Sequence, residues 1–346
     1  MRRIAYIRHP VWNQGLYSVC GATNNMQIMK YKLKAYSIME YGQRKDSSGL
    51  PHQEDSIYPA EGNLSDKDRL FILCDGMGGH DAGEVASATV CDAMSRSILN
   101  DGHDEEGVFI EADFANALAA AFEALDEKDT YAAKKMGTTL TLLKFHNKGA
   151  FIAHIGDSRV YHIRPGETGK DTLVLHETSD HSLVNDLIKV GELTREEAKS
   201  AGQKNVITRA IQPHLDSRPK AEIFETSDIK SGDYFYMCSD GMLEQSEMDN
   251  GTSLRNIFSN EGGSVENKVK ILRSVTEGNN DNHSAFIIHI EHVYDDTSLS
   301  SKPTYINNNE ITTSIGGKDN KNTFIVKLFC LAIIIAAIVA LISMFV

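Results

Sequence analysis

Apolar runs that meet an aspartate at one end constrain this chain most. Phe71-Ile72-Leu73-Cys74 leads into Asp75-Gly76, and Tyr234–Cys238 leads through Ser239 into Asp240-Gly241. Asp281-Asn282 stands just ahead of the apolar run Ala285–Ile290. Short apolar runs bounded by turn residues read as buried strands, so each aspartate stands at a strand mouth. Two more acidic positions join them: the pair Glu54-Asp55 in PHQEDS, and Asp157 in HIGDSRVYHIR. Carboxylates at the mouths of adjacent central strands converge and repel, and they ionise together only around a cation. An oxygen-only set without a Cys/His cluster suits Mg2+ or Mn2+ rather than zinc.

Taken singly, each piece has a plainer reading. An Asp-Gly is usually a turn, Glu54-Asp55 a solvated loop charge, and Asp157-Ser158-Arg159 a hairpin turn with an ion pair. Their joint occurrence in this order is what favours a shared site.

The surrounding pattern predicts an α+β domain over residues 34–292. Strand-like runs cover Leu70–Cys74, Thr138–Phe145, Ala150–Ile155, Arg159–Ile163, Tyr234–Cys238 and Ser284–Ile290. Helical periodicity covers Glu84–Leu99, Ala112–Lys128 and Ser182–Val190. Strands dominate, and their hairpin-like succession predicts antiparallel pairing. Residues 1–33 fit none of this; they read as an N-terminal extension or as a misassigned start, with Met26 or Met29 as the initiator, and we favour the latter. Residues 293–323, rich in Ser, Thr, Asn and Asp, read as a flexible tether.

Residues 324–346 carry a different signal. From Leu328 to Val346 no residue is charged, and at 1.5 Å per residue such a helix spans roughly 28 Å, close to the hydrocarbon core of a bilayer. Its Leu, Ile, Val and Phe residues sum to roughly −4 to −7 kcal/mol on the insertion scale. A core helix is rarely apolar on every face. Lys318, Lys321 and Lys327 flank the segment on its N-terminal side, so the positive-inside rule predicts a single-pass transmembrane tail anchor with the preceding domain in the cytoplasm.

The formal net charge of −13 argues against broad binding to nucleic-acid phosphates, which calls for a basic surface. Five widely spaced cysteines without a C-x-x-C pair fit a reducing compartment better than a disulfide framework or a zinc knuckle.

The order of motifs is recognisable. HQEDS (52–56), DGMGGHDAGEVAS (75–87), MGTTLTLL (136–143), AHIGDSRVYHIR (153–164), TSDHSLV (178–184), NVITRAI (205–211), CSDGMLEQ (238–245) and GNNDNHSAFII (278–288) together resemble the metal-dependent Ser/Thr protein phosphatases of type 2C, particularly the bacterial branch. The resemblance implies two stacked antiparallel β-sheets flanked by helices, an α-β-β-α sandwich. It implies that Asp75 bridges two Mn2+ or Mg2+ ions, that the Gly76 carbonyl completes one site, and that Asp240 and Asp281 hold the other ion. Glu54 and Asp55 then match the acidic pair that orients metal-bound waters. Asp157, Asp240 and Glu244 match a third, weaker site, giving two or three ions in all.

The activity implied is hydrolysis of phosphoserine and phosphothreonine on proteins by a metal-activated water, opposing a cognate protein kinase. Three departures accompany the match. Leu50 stands where the family carries a phosphate-binding Arg, with Arg44, Lys45 or His52 as substitutes from the same loop. Gln53 replaces the customary Asn, and Met77 stands where eukaryotic relatives carry a general-acid His, leaving proton delivery to a metal-bound water, His52 or His80. Two other readings follow: a pseudophosphatase that binds phosphoproteins without turnover, and a phosphatase of small phosphorylated metabolites.

Overall fold

A computed structural model describes residues 29–295, apart from 44, 46–48, 79–80, 101–106, 130–135, 195–196, 199–205 and 245–251. The expected anchor 324–346, residues 1–28 and the tether from 296 onward lie outside the described residues, as do Arg44 and His80. Among the described residues no helix is long and apolar enough to cross a membrane.

Among the described residues, eleven strands form two antiparallel sheets. The first runs in the order β1 (Met29–Glu40), β11 (His283–Asp295), β10 (Tyr234–Cys238), β7 (Arg159–Arg164) and β8 (Leu173–Glu177). The second runs β2 (Asp55–Tyr58), β3 (Leu70–Met77), β5 (Leu140–His146), β6 (Gly149–Ile155) and β9 (Glu222–Thr226), with the short β4 (Gly137–Thr138) on the end of β3. Five helices accompany them among the described residues: α1 (Asp81–Asn100), α2 (Glu111–Lys128), α3 (Leu183–Lys189), α4 (Thr252–Phe258) and α5 (Val265–Thr276).

The alternation of side chains along a strand sorts the residues into layers. In β3, Leu70, Ile72 and Cys74 pack with Val90 and Met94 of α1 and Phe114 and Phe122 of α2. The intervening Phe71 and Leu73 pack inward against the other sheet, beside Phe235, Met237, Phe286 and Ile288. In β10 the outward set, Tyr234, Tyr236 and Cys238, meets Phe258 of α4 and Leu272 of α5. Aromatic edges knit the inner layer, Phe71 to Phe286 at 5.3 Å and Phe145 to Phe235 at 5.1 Å between centroids. Each such buried ring contributes about 1.5–3 kcal/mol. Strands buried on both faces explain why β3, β5, β6 and β10 read as continuous apolar runs rather than as alternation.

Helix ends follow capping chemistry. Ser182 accepts from Asn185 N at the start of α3, and Ser264 accepts from Asn267 N at the start of α5.

The edges of the domain need correction. β1 pairs with β11 from Met29↔Asp295 to Glu40↔His283, so 29–33 belong to a strand rather than an extension, and 293–295 to a strand rather than a tether. Lys30, Lys32 and Lys34 interrupt the apolar run there, yet they alternate with Tyr31 and Leu33, whose side chains are buried. Sequence reasoning also passed over β2, β8, β9, α4 and α5. β8 and β9 are five-residue edge strands with intermediate to exposed side chains, and such strands carry little apolar signal.

Candidate metal centre

Asp55 and Asp75 continue the inner core. The inner row of β3 reads Phe71, Leu73, Asp75, and that of β2 reads Ile57, Asp55. The inner row of β10 reads Phe235, Met237 and then Ser239; that of β11, read backwards, gives Ile288, Phe286, Ser284 and Asn282. At one end of the sandwich the apolar layer gives way to carboxylates, hydroxyls and an amide.

These groups bond one another. Asp55 and Asp75 face each other across the antiparallel pair β2/β3. Ser239 Oγ donates to Asp55 Oδ2 at 3.1 Å, and Ser284 N donates to Ser239 Oγ at 3.0 Å, so the first sheet holds a carboxylate of the second. Asn282 works the same way: its Oδ1 accepts from Glu54 N at 2.8 Å while its Nδ2 donates to His52 O at 2.9 Å. Asp75 is set by its backbone, with its N–H on Thr139 Oγ1 at 3.0 Å and its carbonyl taking Thr138 Oγ1 at 2.8 Å. Thr139 Oγ1 lies 2.8 Å from Ser158 Oγ, which ties Asp75 to the Asp157 turn.

Gly76 has a packing reason. Its N–H donates to Glu54 O at 3.0 Å, and a Cβ there would lie 2.2 Å from Gly83 O and 2.6 Å from Glu54 O. The first turn of α1 therefore crosses directly over the Asp75-Gly76 backbone.

The electrostatics are those of a crowded anionic site. Burial pushes the Asp55 carboxyl up to about 7; the Ser284 and Ser239 hydroxyls oppose this, and the carboxylates of Asp240 and Asp281 add to it. Burial raises Asp75, and the other influences on it are four carboxylates: Asp55, Asp240, Asp157 and Asp281. Burial followed by Asp240 and Asp180 pushes Asp157 up to about 8, and its Oδ1 is buried without a hydrogen-bond partner. Mutual repulsion, an unpartnered buried oxygen and an all-oxygen donor set fit hard divalent cations. Asp55, Asp75, Asp157, Asp240 and Asp281 are thus brought together. Glu244 turns both oxygens to the Asp281 loop, Oε2 accepting from Asn280 N at 2.7 Å and Oε1 from Asp281 N at 3.0 Å.

Comparison with known proteins agrees. The sequence profile of the family described as Protein phosphatase 2C matches residues 41–274. The chain is 34% identical over 227 residues to Protein phosphatase PhpP of Streptococcus pneumoniae, covering 60% of this chain and 86% of that one. It is 35% identical over 213 residues to Serine/threonine protein phosphatase PstP of Mycobacterium tuberculosis, covering 60% of this chain and 37% of PstP. This chain belongs to the protein phosphatase 2C family. The crystal structure of the Mycobacterium tuberculosis phosphatase PstP/Ppp superposes with a TM-score of 0.58 at 29% identity, covering 75% of this chain and 99% of that one. The PstP catalytic domain in complex with two manganese ions gives a TM-score of 0.54 at 27% identity, over 75% and 98% of the two chains.

Within this type 2C phosphatase, the departures from the family pattern occupy distinct places. Leu50 is exposed. His52 is largely buried, with Nε2 3.3 Å from Glu54 Oε1, and Gln53 Oε1 accepts from Asp55 N at 2.9 Å, bracing the acidic pair. Met77 pairs with Gly137 across β3/β4. Burial raises the Cys74 thiol and pushes Cys238 up to about 12, so neither serves as a thiolate nucleophile.

A second cluster was not anticipated. His154, His181 and Glu222 present ligand atoms within 4.8 Å of one another. The donor arrangement there does not fit a metal. Gly156 N donates to His181 Nδ1 at 3.1 Å, and Nε2 faces Glu222 Oε1 at 3.3 Å, so both ring nitrogens are already engaged by the protein. The guanidinium of Arg209 also stands 3.2 Å from Nε2. Burial leads in holding His181 down to about 4, and the adjacent His154 and Arg209 reinforce it.

Proposed function

We propose that this chain hydrolyses phosphoserine and phosphothreonine on proteins, using two or three Mn2+ or Mg2+ ions, and opposes a protein kinase. The observation that carries the reading is the convergence of five aspartates at the polar end of the inter-sheet core, supported by family membership. Asp75, the Gly76 carbonyl, Asp240 and Asp281 would hold a two-ion centre, and Asp157 with Asp240 and Glu244 a third ion. When bound, such ions lower the pKa of water to near neutrality and neutralise charge on the phosphoryl group.

The chain's own residues do the rest. Ser239 and Gln53 fix Asp55, and Asn282 fixes Glu54, so this acidic pair orients the attacking water and accepts its proton. Glu244 holds the Asp281 loop in place through two backbone N–H groups. His52, against Glu54, stands on the side of the site where the family's phosphate-binding Arg is replaced by Leu50. Neither Cys74 nor Cys238 takes part.

The test is hydrolysis of a phosphothreonine peptide with and without Mn2+. Turnover that needs metal and disappears in Asp75→Asn and Asp240→Asn supports the reading; a folded, metal-bound wild type without turnover refutes it and leaves a phosphoprotein-binding module. Faster turnover of sugar phosphates than of phosphopeptides would reassign the substrate class.

The uncharged stretch Leu328–Val346 with its lysine flank supports a further part of the proposal: residues 324–346 anchor the chain in a membrane with the phosphatase domain in the cytoplasm. Deleting 324–346 should move activity from the membrane fraction to the soluble fraction. Full-length protein found wholly in the soluble fraction refutes the anchor.

A further inference from the structure

His181 is 1% exposed and bonds in four directions. Its main-chain N–H donates to Gly156 O at 2.9 Å, and its ring Nδ1 accepts from Gly156 N at 3.1 Å, so one residue takes both polar groups of that glycine. Its carbonyl accepts from Thr208 N at 2.8 Å, and its Nε2 faces Glu222. The ring is stacked on His154 at 4.6 Å and 5°. Gly156 itself has a φ of +110°, and a Cβ there would lie 2.6 Å from Thr139 Cγ2. Only glycine fits this backbone and this space.

Beyond Thr208 the chain returns to the metal centre. Ile211 exchanges both backbone hydrogen bonds with Thr138, at 2.9 Å each, and Thr138 Oγ1 donates to the carbonyl of Asp75. On the other side, Gly156 leads through Asp157 and Ser158 to Thr139 Oγ1, which accepts from Asp75 N. The two paths close a ring that runs Asp75, Thr138, Ile211, Thr208, His181, Gly156, Asp157, Ser158, Thr139 and back to Asp75. The main chain of His181 joins its two halves on the side away from Asp75, and the His181 ring adds a second tie, from Gly156 N on Nδ1 to Arg209 Nη1, 3.2 Å from Nε2.

We propose that His181 is a positioning residue, in its neutral form with Nδ1 accepting from Gly156 N, that locks the Asp157 turn to the 207–211 segment and so sets the Asp157 carboxylate for a third, weaker ion. The proposal rests on the phosphatase reading for the identity of that ion. Residues that hold a ligand from behind typically change metal affinity by about 10- to 100-fold when removed. Arg209 and Glu222 form the outer part of the lock, 3.9 Å apart.

The test uses full-length protein carrying His181→Ala, His181→Asn or Glu222→Gln. Two measurements are made: amide hydrogen exchange at Gly156 and calorimetric titration of metal-depleted protein with Mn2+. His181→Ala should speed exchange at Gly156 and weaken the weakest Mn2+ phase about 10-fold or more, with the tighter phases kept. His181→Asn places Oδ1 where Nδ1 stood, so it should restore protection of Gly156 and most of the weak phase. Glu222→Gln should leave Gly156 protected and speed exchange in 206–211.

A folded His181→Asn as impaired as His181→Ala overturns the proposal, and so does an exposed Gly156 amide with all Mn2+ phases unchanged. If His181→Ala does not fold, the Asn variant decides: Gly156 protected with the weak phase lost overturns it, and both retained supports it. Mn2+ binding with the His181 effect but without phosphopeptide hydrolysis sinks the phosphatase reading alone.

Discussion

Replacing Asp157 by asparagine should stabilise the metal-free protein at alkaline pH while weakening its response to metal. The Asp157 carboxyl is pushed from 3.8 up to about 8, chiefly by burial and then by Asp240 and Asp180. Between those values the folded state holds a proton that the unfolded state has released, so stability falls as pH rises through this range. Asp157 alone then costs the wild type roughly 1–2 kcal/mol between pH 6.5 and pH 8, from 1.36 kcal/mol per pKa unit, levelling near the folded value. At about 2–4 °C per kcal/mol for a domain of this size, that is roughly 2–8 °C of melting temperature. The window starts at 6.5 because the buried histidines His146, His176 and His181, held down to about 4 by burial first, contribute only below it. The assay is thermal unfolding in a chelator at pH 6.5 and 8, repeated with Mn2+. Asp157→Asn should reduce the wild-type decline, leaving the part that the raised carboxyls of Asp75 and Asp55 contribute, and its Mn2+-induced gain should be smaller. A wild-type decline that the substitution leaves intact, or an asparagine variant less stable than wild type at pH 8, would refute the reasoning.

Other outcomes follow from the same contacts. Thr139→Val leaves the buried Asp75 N–H without its acceptor and should cost about 1–3 kcal/mol in denaturant unfolding; Ser158→Ala keeps that bond and should cost less. Gly76→Ala drives a Cβ to 2.2 Å from Gly83 O, so the Asp75 backbone must shift, and both Mn2+ binding and phosphopeptide turnover should fall at least tenfold. Below pH 6.5 the order of effects reverses for histidines. His146, His176 and His181 take up protons only on unfolding until pH 4, so replacing His176 with Phe should slow the acid-side loss of urea stability. Native protein at pH 8 should leave Cys74, Cys91 and Cys238 unlabelled by a thiol reagent, with labelling only on unfolding, because all three are buried.

Much of the centre is legible because its chemistry is local. Asp75-Gly76 and Asp240-Gly241 sit at the ends of the apolar runs that become β3 and β10, and a carboxylate beside such a run is visible without any knowledge of pairing. What the runs do not reveal is partnership. Nothing in the sequence announces that Ser239 serves Asp55 on the other sheet, or that Asn282 serves Glu54, because residues so far apart in sequence meet only through packing. Glu244 is marked as a ligand by the family resemblance alone, and the sequence does not reveal that its oxygens also accept from the Asn280 and Asp281 N–H groups. His154 and His181 fall in two separate motifs and Glu222 in none, and the meeting of His154 with Glu222 depends on β6 lying beside β9. β1 is missed because Lys30, Lys32 and Lys34 stand at every second position; counting charges hides the strand, and following alternation finds it.

The shared rows of core and centre have one more consequence. Leu73 and Asp75 are two steps along the same face of β3, as are Met237 and Ser239 on β10, so the apolar layer works as a ruler against which each acid is measured. A one-residue slip of β3 would turn Phe71 and Leu73 away from the layer and offer Gly76 in place of Asp75. Misregistered chains would thus be unstable and inert together. The chain needs no separate device to reject them, because the same hydrophobic fit that lets it fold also certifies that its carboxylates are in line.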